Sequence, residues 1–123
     1  MNQNSELTEK IIGCAIEVHR NLGPGLLESV YERALCHEFN ERGMHYECQK
    51  IIPIDYKGTN LGEFRLDLLV EEKIIVELKA VERDEPVFKA QLLSYLKLTG
   101  KQLGLLINFN VPLLKDGITR VIL

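Results

Sequence analysis

The spacing of apolar residues changes along this chain, and each change marks a new element. Leu7, Ile11, Ile12, Ala15, Ile16 and Val18 recur at helical intervals and predict a first helix ending near Arg20. Ser5, Thr8 and Glu9 offer N-capping choices for it. The Gly and Pro of "NLGPG" break it. Leu27, Val30, Tyr31, Ala34, Leu35 and Phe39 give a second helix its core stripe, from about Leu26 to Arg42, and Gly43 is its stop. From Met44 the pattern becomes that of strands. "HYECQKIIPIDYKG" reads as a strand, "YKGTNLG" as a turn, and "EFRLDLLV" and "KIIVELKAV" as the next two strands. Pro53 predicts that the first of these is irregular or lies at a sheet edge. Asp84-Glu85-Pro86 starts a helix over about Val87–Leu98, stopped by Thr99-Gly100. "LGLLINF" reads as a central strand and "ITRVIL" as a last one. The predicted order is ααβββαββ.

Three charges interrupt the apolar runs of "RLDLLVEEKIIVELKA". Side chains alternate faces along a strand, so Glu77 and Lys79 share one face. Ile74, Val76, Leu78 and Ala80 take the other, which is expected to be the core. Leu66, Leu68 and Val70 are likewise expected to face the core, with Asp67 opposite to them. A three-residue turn at Glu71-Glu72-Lys73 would pair Val70 with Ile74 and set Asp67 directly across from Glu77. A two-residue turn would set Asp67 across from Val76 instead. The first register keeps the apolar faces consistent and is preferred.

That register opposes two carboxylates, which is destabilising in a sheet unless something neutralises them. A divalent cation would do so. Mg²⁺, or Mn²⁺ in its place, takes carboxylate oxygens, often only one or two from the protein, with waters and substrate phosphates completing the shell. Lys79 on the same face could orient a water or stabilise charge on a phosphoryl oxygen. The plainer reading is a charged hairpin face in water, with surface ion pairs. The apolar flanks and the acid-on-acid ladder argue against it.

Totals constrain the class. The 123 residues fit one domain, with 46% apolar and 27% charged. A net charge of −3 provides no overall basic footprint for nucleic acid. Cys14, Cys36 and Cys48 show no metal-binding spacing and read as reduced thiols. Cys36-His37 reads as a buried Cys beside a surface His. No signal pattern opens the chain and no apolar run approaches the ~18 residues of a membrane span, so the expected location is cytoplasmic.

Asp67, a nine-residue gap, then Glu77-Leu78-Lys79 resembles the D-x(n)-(D/E)-x-K signature of the PD-(D/E)xK nuclease superfamily. The predicted order from the second helix to "LGLLINF" is similar to that superfamily's α-β-β-β-α-β core. Leu66 stands where the motif's variable proline would be. Gly25, Glu28 and Tyr31 in "GPGLLESVYERAL" resemble the naming motif of the GxxExxY family, which is assigned to the same superfamily. Together the resemblances cover nearly the whole chain. They imply a restriction-endonuclease-like α/β fold, a central mixed sheet flanked by helices. They imply Asp67 and Glu77 as metal ligands, Glu28 as a third acidic site residue, and Lys79 as the catalytic lysine.

Gln91 and Tyr95 share a helix face and resemble the Q-x(3)-Y element of RecB-like exonucleases, which contacts DNA. Lys89, Lys97 and Lys101 nearby could bind phosphates or form a solvated face. Tyr31 and Lys89 join Gln91 and Tyr95 as substrate-facing candidates, although read plainly Tyr31 is a core tyrosine. Two functions stay open at this point. One is a Mg²⁺-dependent nuclease acting on DNA, in an enzyme class whose small members often work as homodimers. The other is a non-catalytic module that binds nucleic acid or protein and retains the fold. The intact acid, acid and lysine favour the first; the acidic net charge favours the second.

Overall fold

A computed structural model describes residues 3–123. Its elements are α1 (Gln3–Leu22), α2 (Glu28–Glu41), β1 (Tyr46–Tyr56), β2 (Thr59–Val70), β3 (Ile74–Lys79), α3 (Pro86–Thr99), β4 (Leu103–Asn108), a 3₁₀ turn at Leu114–Gly117, and β5 (Ile118–Ile122). The order ααβββαββ is the expected one, with the 3₁₀ turn added. The five strands form one mixed sheet in the order β1-β2-β3-β4-β5. Neighbouring pairs are antiparallel except β3 and β4, which run parallel and are joined through α3. This is a restriction-endonuclease-like arrangement.

Several boundaries differ from the sequence reading for local reasons. α1 begins before the expected caps. Thr8 lies inside the helix, where its hydroxyl donates to the Asn4 carbonyl at 2.6 Å. The turn expected over "YKGTNLG" shrinks to Lys57-Gly58, because both adopt positive φ (50° and 84°), the geometry of a tight hairpin. β1 is an edge strand, as Pro53 requires, and its register with β2 shifts between Ile54 and Asp55. α3 starts at Pro86, and Gly100 caps its end in the left-handed conformation. β4 is buried at every residue and lies inside the sheet.

The sheet is flanked by helices as expected, and the face read as core from Ile74, Val76 and Leu78 is one of two. Both faces of the sheet are covered. On one, α1 and α2 bring Ile11, Leu35 and Phe39 against Val70, Val76 and Leu105. On the other, α3 brings Leu92 and Leu96 against Leu69, Ile75 and Leu106. Ile74, Val76 and Leu78 lie on the expected face, and Ala80 packs at its border. Leu66 does not join Leu68 and Val70 there; it packs with the α3 cluster. The strict alternation of β2 therefore fails at Asp67, where the strand leaves its neighbour. Among the described residues no helix is long and apolar enough to cross a membrane.

Candidate metal and nuclease site

The site forms where β2 and β3 part. Their ladder holds only three pairs, Val70↔Ile74, Leu69↔Ile75 and Leu68↔Val76. The turn between them is the three residues Glu71, Glu72 and Lys73, with φ of 53° and 57° at the two glutamates. One step beyond Leu68↔Val76, Asp67 faces Glu77, as the preferred register requires. Here side chains replace the ladder. The backbone N–H of Asp67 donates to Glu77 Oε2 at 2.8 Å, and the N–H of Leu78 donates to Asp67 Oδ2 at 2.9 Å. Each carboxylate thus bonds to the other's strand, and one oxygen of each is anchored.

The electrostatic cost is visible at Glu77, which is only 6% exposed. Burial, with the Asp67 charge beside it, pushes its carboxyl up to about 8, against the opposing pull of the Asp67 N–H and Lys79. Asp67 is raised too, chiefly by burial, with Glu32 adding to the shift and Leu78 N–H opposing it. Lys79 is half-buried, and its ammonium sits 4.6 Å from the Phe88 ring centroid of α3. Among the described residues it makes no salt bridge. The cluster is therefore a partly desolvated acid pair with a lysine beside it. It is not a set of surface ion pairs.

The end of β3 is held rigidly. Lys79 pairs with Asn108 of β4, and its carbonyl accepts the Phe109 N–H at 2.9 Å. The buried Asn108 amide accepts the Val81 N–H at 3.1 Å and donates to the Val81 carbonyl at 3.0 Å.

Tyr31 is placed differently from its expected substrate-facing position. It is fully buried and stacks on Phe109, with centroids 4.5 Å apart. Its hydroxyl donates to the Gly23 carbonyl at 2.6 Å and accepts the Leu26 N–H at 3.1 Å. A side chain with no exposed surface and both hydrogen bonds internal offers nothing to a substrate. Its work is to clamp the "GPGL" loop, in which Gly25 takes a φ of 96°. That clamp sets where α2 begins and where Glu28 points. Tyr31→Phe is expected to cost about 1–3 kcal/mol, because two backbone groups lose a partner. An unchanged thermal midpoint would contradict this.

Glu28 remains solvent-exposed but belongs to the site's field. Partial burial and the Asp67 charge raise its carboxyl, and Lys79 pulls it back. Tyr95 is half-buried, and its phenol is raised by burial and by the charges of Glu77 and Asp67, which places it beside the acid pair. Its ring stacks on Phe64 at 4.3 Å, and the nearby Gln91 side chain opposes the upward shift of its phenol. Lys89 is exposed on α3.

Two residues of the site were not singled out from sequence. Glu32 stands four after Glu28 on α2, so it shares that helix face, and this spacing was the available signal. Gln49 of β1 lies across from Asp67, and its amide donates to Glu32 Oε1 at 2.7 Å and to Asp67 Oδ1 at 3.4 Å. Cys36 is half-buried, not buried, and Cys48 is exposed. The Cys48 thiol donates to Glu32 Oε1 at 3.3 Å. Burial and the Glu32 contact push it up to about 12, so it is not a nucleophile near neutral pH.

Among the described residues, no group of three or more His, Cys, Asp or Glu forms a ready metal cage. Two anchored carboxylates nevertheless suit Mg²⁺, which keeps most of its shell for water and phosphate. No buried side-chain polar atom among the described residues lacks a partner, and the backbone bond to Glu77 engages Oε2, not Oε1. Donor type and number therefore fit a hard divalent cation.

Comparison with solved structures finds the crystal structure of SSO0001, at 21% identity and a TM-score of 0.52. The match covers 95% of this chain but 56% of that one, and at this identity it speaks for the fold alone. No curated protein matches the chain. Among known families, residues 5–121 match the PD-(D/E)XK nuclease superfamily, whose members generally use divalent metal ions. With that match spanning nearly all of its length, the chain belongs to the PD-(D/E)XK nuclease superfamily.

Proposed function

We propose that this chain is a divalent-metal-dependent nuclease that hydrolyses phosphodiester bonds in DNA, within the GxxExxY group of its superfamily. The observation that carries the reading is the reciprocal insertion of Asp67 and Glu77 across the β2–β3 fork, with Lys79 beside them. The fold does not need this arrangement. A continued ladder would satisfy the same backbone groups without burying two acids.

In this reading Asp67 and Glu77 hold Mg²⁺ or Mn²⁺, and Glu28 adds negative charge on its open side. The bound cation supplies positive charge at the scissile phosphate and makes water a better nucleophile. Lys79 orients the attacking water or stabilises charge on a phosphoryl oxygen. Phe88 keeps its stem in place. Gln91 and Tyr95 line the approach from α3, and Lys89 offers a phosphate contact on the same helix. Without a cation, the acids Glu28, Glu32 and Asp67 gathered around Lys79 would repel a phosphate backbone. Substrate binding at the fork should therefore depend on metal.

The test is cleavage of plasmid and linear DNA, with matched RNA, in Mg²⁺ or Mn²⁺ and then in excess chelator. Expected is DNA cleavage that chelator abolishes and that Asp67→Asn lacks. Metal binding without cleavage of either nucleic acid would favour a non-catalytic module. Cleavage of RNA alone would reassign the substrate.

A further inference from the structure

We propose that Gln49 is a positioning residue of the metal site, kept in a strained backbone conformation so that its amide orients the Asp67 carboxylate. This rests on the metal-binding reading of Asp67 and Glu77 given above. Among the described residues, four that are not glycine have positive φ: Gln49, Lys57, Glu71 and Glu72. The last three sit in the two hairpin turns, where that conformation is required. Gln49, at 54°, lies in the middle of β1. In the β1–β2 register it falls between Cys48↔Leu68 and Lys50↔Leu66, with no partner of its own. A backbone that needs a left-handed residue ordinarily uses Gly or Asn, which adopt it at least cost. Gln is a poor choice there unless its side chain has work to do, and strain of this kind tends to gather at functional sites.

The work is visible in the contacts. Asp67 Oδ2 is anchored by Leu78 N–H, so the direction of Oδ1 is set by what it meets. It meets the Gln49 amide, at 3.4 Å. The same nitrogen donates to Glu32 Oε1 at 2.7 Å, and Glu32 also takes the Cys48 thiol. One amide with two hydrogens thus stands between two carboxylates from different elements. Remove it and Asp67 and Glu32 face each other with no donor between them. Residues that orient metal ligands without touching the metal typically change affinity by about 10–100-fold when removed.

The experiment uses the full chain and four proteins: wild type, Gln49→Gly, Gln49→Asn and Lys57→Gly. Mn²⁺ affinity is measured by titration calorimetry near neutral pH, and the thermal midpoint is measured without metal. Gln49→Gly and Gln49→Asn are expected to bind Mn²⁺ about ten-fold or more weakly. Both should keep the metal-free midpoint near that of wild type, since relief of the left-handed backbone offsets the lost amide contacts. Lys57→Gly relieves the same conformation at the remote hairpin turn and should leave affinity within about twofold.

Affinity within about twofold of wild type in both Gln49 variants, while wild type binds Mn²⁺ and cleaves DNA, overturns this inference alone. A parallel fall of midpoint and affinity in both variants also overturns it, because Gln49 would then be a purely structural residue. If wild type neither binds Mn²⁺ nor cleaves, the metal-site reading fails and this inference falls with it.

Discussion

Glu77→Gln is expected to stabilise the metal-free protein at pH 7–8 while abolishing its metal-dependent activity. The buried Glu77 carboxyl keeps its proton up to about pH 8 in the fold, against 4.5 for an ordinary glutamate. Between those values the folded state holds a proton that the unfolded chain has released. Stability of the metal-free protein therefore falls as pH rises across that window and levels off above it. The slope is at most about 1.4 kcal/mol per pH unit. Glutamine keeps the acceptor for the Asp67 N–H and has no charge to bury. It should remove most of that slope and add roughly 1–3 kcal/mol near pH 7. Thermal midpoints of both proteins across pH 5–9 in chelator measure this directly. A wild-type midpoint independent of pH in that range, or a Gln variant with the same slope, would show that Glu77 is not the buried acid described. Added Mn²⁺ should raise the wild-type midpoint more at pH 8 than at pH 6, because the site must lose its proton to take the ion.

Lys79→Ala should separate chemistry from metal binding. Its ammonium rests over Phe88, beside the acid pair, without a salt-bridge partner among the described residues. Loss of one donor aimed at developing charge costs about 10²–10³ in rate. Single-turnover cleavage should fall by that amount while Mn²⁺ affinity stays near wild type. Glu77→Ala, in contrast, should lose both. Equal residual cleavage in Lys79→Ala, Glu77→Ala and wild type would mean a contaminating nuclease or a different site.

The acid pair was legible because the information for it is local. A three-residue turn and the two-residue period of a strand are enough to set Asp67 opposite Glu77, and nothing distant intervenes between them. Lys79 follows from the same parity. The element order was legible for a related reason: Gly and Pro at the breaks, and the change of apolar spacing, act within a few residues. Glu32 could have been found from its helical spacing to Glu28.

Gln49 could not be read this way. Extrapolating the Tyr56↔Thr59 pairing down the hairpin would bring Cys48 to Asp67. The shift between Ile54 and Asp55 adds one residue and brings Gln49 there instead. No residue pattern marks that shift strongly enough to count on. Leu66 changed faces for a similar reason, because β2 leaves β3 at Asp67 and strict alternation no longer holds. Tyr31 is a third case. Its place in a motif suggested the surface, yet Phe109, 78 positions later, offers it a ring to stack on and the "GPGL" loop takes its hydroxyl.

By itself, then, the sequence determined the elements, the fork register and the chemical character of the site, since each rests on contacts between near neighbours or on spacing within one strand or helix. Only the tertiary structure decided which face each helix covers and how far each acid is buried. It also decided which amide holds Asp67 in place. Those depend on the packing of residues far apart in the chain, where a one-residue shift changes which side chain arrives.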